Sequence, residues 1–308
     1  MLGLAGLLGL LMVGASMNMD FSEDEDDETE TEEELPEQEE LPKLVSGTDL
    51  NDTLGGGEQS DSIFAFMGND VAYGGDGDDM IDGGAGDDLL DGAGDDDVLF
   101  GGEGDDSLQG DYGDDTLNGD AGDDSLAGMA GDDALSGGEG ADTLIGGDGS
   151  DSLAGDTGDD ALMGGEGDDL VMGGDGADIV NGNDGSDTLF GGDEDNPEDG
   201  ESDYLNGGAG DDTLTLGAGD NANGGEGADT FTLGDWIQDG PATIEDYDPT
   251  EDKIVVMYDQ DFHPDAEVSV EVDENGQASV YLDGAMVAEV PDAGGLTAED
   301  IEMIPRAA

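Results

Sequence analysis

The chain is 308 residues long, carries 86 acidic against 3 basic residues, and has a formal net charge of −83. That balance excludes nucleic acid and anionic membrane surfaces as partners, because both need clustered Lys or Arg, and no compact fold tolerates it unless counterions are held in place. With no cysteine, disulfides and thiolate metal sites are excluded too.

In chain order, residues 1–19 are apolar and small. They read as an export signal or an anchor, with Val13-Gly14-Ala15 offering small residues to a signal peptidase. No Lys or Arg precedes them, and Gly3, Gly6 and Gly9 weaken any isolated helix. Membrane contact is expected only if this segment is an anchor. Residues 20–46 are mostly acidic and read as a solvated, disordered spacer.

From 47 to 232 the sequence repeats. Registered on Gly74 it runs GGDGDDMID, GGAGDDLLD, GAGDDDVLF, GGEGDDSLQ and onward to Phe190, thirteen consecutive nonapeptides. In all thirteen, position one is Gly, position six is Asp and position eight is Ile, Leu or Val. Position four is Gly in every unit but one, where Asp95 stands. Weaker units flank the block: Asp52, Asp61 and Asp70 with Leu54, Ile63 and Ala72 before it. After it come Asp203 with Leu205, Asp212 with Leu214, a degenerate unit read as Asn221 with Asn223, and Asp229 with Phe231. In that register Asp220 holds a variable position. The seven residues Gly191 to Pro197 form an insertion that should protrude as a loop.

Glycine at positions one and four permits the positive φ of a tight six-residue turn, and the apolar residue between two variable ones makes a minimal strand with one side chain inward. Two units then form a coil, and stacked coils form two parallel sheets with the position-eight residues between them. On either edge the position-six carboxylates of every second unit lie one coil apart, about 4.8 Å. A hard divalent cation between them would relieve their repulsion, with backbone carbonyls of the glycine turns supplying further oxygens.

These repeats resemble the RTX (hemolysin-type) calcium-binding nonapeptide-repeat proteins: GGDGDDMID at Gly74, GGEGADTLI at Gly137 and GGDGADIVN at Gly173 match that pattern. The resemblance implies an all-β parallel β-roll solenoid that binds multiple Ca²⁺ ions. It also implies that Asp79, Asp88, Asp106, Asp115, Asp124, Asp133, Asp142, Asp151, Asp160, Asp169, Asp178 and Asp187 are side-chain ligands, with Asp212 of a flanking unit. Asp97 aligns with them, in a turn that has lost its fourth glycine, which counts against its site. Two inward side chains per coil are a small return for ordering eighteen glycine-rich residues, so the metal-free repeat is not expected to fold.

Residues 233–308 return to ordinary composition, with the only Trp and the only His, Trp236 and His263. The run Ile244 to Ile254 (IEDYDPTEDKI) resembles the segment that follows the repeats in the same family. Val268, Val270 and Val272, then Ala278, Val280 and Leu282, alternate with polar residues about Asn275-Gly276, a hairpin signal. Asp283-Gly284 marks a second turn before Met286 to Val290. The expectation is a C-terminal antiparallel β cap over the roll. The resemblance further implies an uncleaved C-terminal signal for a type I secretion apparatus, with Thr297 to Ile304 the candidate. Substrates of that route usually lack an apolar N-terminus.

No catalytic constellation is legible. One His excludes H-E-x-x-H, no G-x-S-x-G occurs, and no EF-hand loop is completed. His263 is expected to be a surface turn residue. The sequence therefore points to a non-enzymatic extracellular calcium-binding protein, secreted or anchored at the cell surface, with a structural role. The alternatives are a secretion or carrier module, or an adhesin, whose effector is absent from this chain.

Overall fold

A computed structural model describes residues 41–192, 201–237, 240–291, 293 and 295–306. The apolar segment 1–19, the acidic tract as far as residue 40 and residues 193–197 of the insertion lie outside them.

The repeat winds into a parallel β-solenoid. Successive strands alternate between two sheets, of 13 and 14 strands among the described residues. Each strand pairs in parallel with the strand two units away. Leu126, for example, stands between Leu108 and Leu144, eighteen residues to either side. That register follows from the nine-residue period, since position eight must face inward in every unit. From Ile81 to Leu189 the position-eight side chains are at most 3% exposed and form one continuous column. The insertion does not disturb it: Val180 pairs with Leu205 across 25 residues.

The strands are longer and the turns shorter than the sequence suggests. Each strand runs from position seven through position three of the next unit, as in Met80–Ala85 and Leu89–Gly94. The ladder skips position one, pairing Ala127 with Ile145 and next Met129 with Gly147. The glycine roles also differ from the expectation. Positive φ falls at positions two and four (Gly75 at 120°, Gly77 at 104°), and position one is not left-handed. Position two keeps this conformation even where it is Ala93, Asp111, Asp120, Met129, Asp156 or Asn183, so it is a conformational requirement met without glycine and therefore hidden from composition.

Three boundaries shift. Leu44–Ser46, assigned above to the disordered spacer, is a strand paired in parallel with Ser62 to Phe64. The degenerate unit is registered one residue earlier than read: Asp220 and Ala222 are both fully buried and take positions six and eight. The reason is a lost residue, since Asp220 follows Asp212 by eight. Finally the coil continues past 232, with Phe231 paired to Ile254.

The cap has two halves. Val268–Val272, Ala278–Leu282 and Ala285–Val290 form an antiparallel meander turning at Asp283 and Gly284, both at positive φ. Its last strand joins Ala242–Ile244 at the end of the 14-stranded sheet. The 13-stranded sheet ends differently, on the parallel strand Ile301–Arg306 beside Lys253–Asp259. Part of the segment taken as a secretion signal is therefore a paired strand here. No helix among the described residues is long and apolar enough to cross a membrane.

Candidate metal sites

Each unit contributes one buried carboxylate, and the roll aligns these in two inner rails, Asp79, Asp97 and Asp115 on one edge and Asp88, Asp106 and Asp124 on the other. Position six lies two residues past the left-handed turn residue, which folds its side chain under the loop. All fourteen aspartates named from the sequence, Asp97 and Asp212 included, are at most 4% exposed. In each, Oδ1 accepts the backbone N–H of the aspartate one coil earlier, for example Asp61 to Asp79 at 2.6 Å, Asp79 to Asp97 at 2.7 Å and Asp124 to Asp142 at 2.7 Å. The loss of a glycine in the turn before Asp97 has no effect on this placement. Asp95 adopts φ 69° and its carboxylate accepts the N–H of Gly77.

The other oxygen is what marks the rail as a metal site. Oδ2 of Asp79, Asp88, Asp97, Asp106, Asp142 and others is buried with no hydrogen-bond partner. A buried carboxylate oxygen left so is costly unless a cation compensates it. Position-one glycine explains where that cation would lie. A Cβ built on Gly137 would sit 2.3 Å from Asp142 Oδ2 and 2.9 Å from the carbonyl oxygen of Gly155, one coil on. On Gly155 the corresponding distances are 2.4 Å to Asp160 Oδ2 and 2.3 Å to the Gly173 carbonyl. A carboxylate oxygen of one coil and a carbonyl oxygen of the next thus border one small space, which only a residue without a side chain leaves open. No three Asp, Glu or His side chains converge among the described residues. The donor set is oxygen throughout, carboxylates completed by backbone carbonyls, and it suits a hard cation of high coordination number such as Ca²⁺.

Electrostatics agree. Burial pushes the carboxyls of Asp97, Asp106, Asp133, Asp160 and Asp212 up to about 7, and those of Asp88, Asp115, Asp124, Asp169 and Asp187 up to about 6. The backbone N–H that each accepts pulls the other way without cancelling the effect.

The inner rails hold more members than the fourteen proposed ligands, among them the aspartates of the weaker flanking units. Asp61, Asp70, Asp203, Asp220 and Asp229 are buried alike, and each Oδ1 of Asp70, Asp203 and Asp229 accepts the same kind of N–H. At Asp220 both oxygens take backbone donors, from Asp203 and from Gly217. Asp252, in the D-K-I segment, closes one rail by accepting the N–H of Asp229 at 3.0 Å. Ala242 stands where the other rail would continue, since Thr243 pairs with Asn221 and Ile244 with Ala222.

A second, outer rail escaped the sequence reading, which treated position five as variable. Asp114 Oδ1 accepts the N–H of Asp132 at 2.9 Å, Asp123 that of Ala141 at 3.0 Å, and Asp168 that of Ser186 at 2.8 Å. These side chains are exposed, and the bond runs opposite to the inner one, from the later coil back to the earlier. The signal was there: position five is Asp in nine of the thirteen units.

His263 is half-buried in the cap and links turns, with Nδ1 2.7 Å from Asp283 Oδ2 and Nε2 3.9 Å from Asp235 Oδ2. It borders a cavity of about 410 Å³ with Asp235, Ile237, Leu282, Ala285 and Val287.

A family model described as the RTX calcium-binding nonapeptide repeat matches residues 46–196 in eight overlapping stretches and 199–231 in a ninth. Among solved structures, the chain is similar to the AlgE6R3 subunit from the Azotobacter vinelandii mannuronan C5-epimerase, at 28% identity over 46% of this chain and 77% of that chain, with a TM-score of 0.24. No curated protein matches the chain.

Proposed function

We propose, for a chain that belongs to the family of RTX calcium-binding nonapeptide-repeat proteins, that it is a non-enzymatic extracellular module that folds when many Ca²⁺ ions are bound along its two inner rails. The observation that carries this reading is the repeated buried Oδ2 with no protein partner beside a position-one glycine. Asp79, Asp88, Asp97, Asp106 and their successors would hold the ions together with turn carbonyls, and the ions would supply the positive charge that a −83 chain lacks. Metal binding is then folding free energy, because no such site exists in the unfolded chain.

Location follows from the same requirement. Sites of modest affinity, with Kd of about 10⁻⁴–10⁻³ M, fill outside cells and stay empty at cytosolic calcium levels, and the net charge resists any anionic surface. Export through a type I apparatus is supported by the family and by the segment after the repeats, and release or surface anchoring through residues 1–19 are the two fates it leaves. Circular dichroism in EGTA should show coil that converts to β-structure as Ca²⁺ rises into the range of about 10⁻⁴–10⁻³ M. Equal β content with and without calcium would refute the reading. Mg²⁺ should substitute poorly, since it demands octahedral geometry and keeps its waters.

A further inference from the structure

Only three basic residues occur in the chain, and one of them stands where an inner rail begins. Eighteen residues before Asp61, position six is occupied by Lys43. Its backbone behaves as a rail member: the N–H donates to Asp61 Oδ1 at 2.5 Å, as that of Asp61 does to Asp79 at 2.6 Å. Its side chain carries the opposite charge, and Nζ donates to the carbonyl oxygen of Gly56 at 2.9 Å. Gly56 is a position-one glycine, and the carbonyls at that position border the metal sites. A Cβ built on Gly56 would sit 2.7 Å from Asp61 Oδ2 and 2.4 Å from the Gly74 carbonyl, one coil on. Moved back by one coil, the same pairing is the residue at 43 with the carbonyl of Gly56. The second rail also starts on protein donors. Asp52 Oδ2 accepts the N–H of Thr48 at 2.7 Å and its hydroxyl at 2.8 Å, whereas Oδ2 of Asp61, Asp79 and Asp88 has no hydrogen-bond partner.

We infer that the ammonium of Lys43 takes the position of a metal ion in the first site of its rail, a tethered cation that closes the N-terminal end of the roll without calcium. This assignment holds only if the rails bind calcium, as proposed. The end of a rail is a poor place for a divalent ion. Ca²⁺ gathers about six to eight oxygens, and an interior ion draws them from two successive coils. Among the described residues no strand precedes Lys43, so an ion there would be half-coordinated and would fill last. An ammonium needs fewer acceptors, and its covalent tether holds it at a high effective concentration. It also brings a positive charge to the end of a column of buried carboxylates that begins at Asp61.

The test is hydrogen exchange of the full chain, read on the peptide from Leu44 to Met67, at about 1 and about 20 mM Ca²⁺. Wild type should be protected equally at both concentrations. Lys43→Met, which keeps the length and removes the charge, should exchange about tenfold faster at both, the loss expected for one charged hydrogen bond. Lys43→Asp restores the carboxylate found elsewhere at position six. It should exchange faster at the lower concentration and recover wild-type protection at the higher one, where calcium fills the site that the ammonium had occupied. The strand Leu170–Asp175, well inside the roll, should keep its wild-type rate in both variants. A Lys43→Met variant as protected as wild type overturns the inference, and so does a Lys43→Asp variant that calcium does not rescue. Wild-type protection that survives in EGTA would instead remove the calcium reading itself, and the inference with it.

Discussion

Replacing Asp142 separates the two jobs of an inner-rail carboxylate, and the effect should change sign with calcium. Its Oδ1 accepts the N–H of Asp124 at 2.7 Å, and its Oδ2 is buried without a partner. Asp142→Ala removes both, leaving a buried N–H unsatisfied at about 1–3 kcal/mol and losing a site worth about 2.7 kcal/mol at a hundredfold excess of Ca²⁺ over Kd. Asp142→Asn keeps the acceptor and loses only the site. If the coils fold together, the remaining sites, on the order of fifteen, share the deficit. The calcium midpoint then rises about 1.5- to 2-fold for Ala and about 1.4-fold for Asn. In EGTA the order reverses for Asn: the buried carboxylate is held above its usual pKa chiefly by desolvation, so neutralising it favours the compact state. With trimethylamine oxide driving collapse, Asp142→Asn should fold at a lower osmolyte concentration than wild type. Circular dichroism reads both titrations. A calcium midpoint that rises for Ala but not for Asn, or a metal-free Asn variant harder to collapse than wild type, would show that Asp142 is a structural acceptor and not a ligand.

Asp220→Ala should cost about 2–4 kcal/mol, because it strips acceptors from two backbone N–H groups at a fully buried position, whereas Asn221→Ala next to it should change the calcium midpoint little. Gly137→Ala, whose Cβ would meet Asp142 Oδ2 at 2.3 Å, should disable one site, while Gly94→Ala, with nothing nearer than 4.0 Å, should be neutral; isothermal titration counts the ions lost. The pH dependence follows from carboxyls raised to about 6 or 7 on both rails. The folded metal-free roll binds more protons than the unfolded chain, so their contribution to stability is present at acid pH and is lost as pH rises through 6 to 7. Ca²⁺ must displace those protons, so the calcium midpoint should rise as pH falls from about 8 to about 5.5. Titrations at pH 6 in buffers of different ionisation enthalpy should show proton release.

The repeat period, the inward column at position eight and the carboxylate at position six are legible in the sequence because each is a fixed residue type at a fixed spacing. The two glycine roles are not separable that way. A glycine kept for its dihedral and a glycine kept for room are the same letter, and only the structure shows that Gly137 leaves space whereas Gly138 supplies a φ of 113°. Asp220 was missed because a nine-residue frame carried through an eight-residue unit falls one residue late. Asp252 was missed because it lies where the glycines have stopped, although the pairing of Lys253 with Thr230 continues the coil. The strand Ile301–Arg306 has no alternation to announce it. Its register is set by the partner strand Lys253–Asp259.

The opposed hydrogen bonds of the two rails give the roll a direction. On the inner rail the N–H of each buried aspartate except Asp220 is satisfied by a carboxylate one coil later in the chain, as Asp79 serves Asp61 and Asp252, past the last repeat, serves Asp229. A coil laid down from the N-terminal side therefore always ends on a buried donor with nothing to receive it. A coil added from the C-terminal side meets a waiting acceptor at once, while the outer rail, exposed to water, can be completed afterwards. The molecule is built like a zip fastener whose teeth close most readily from the Asp252 end, where the acceptor is already in place.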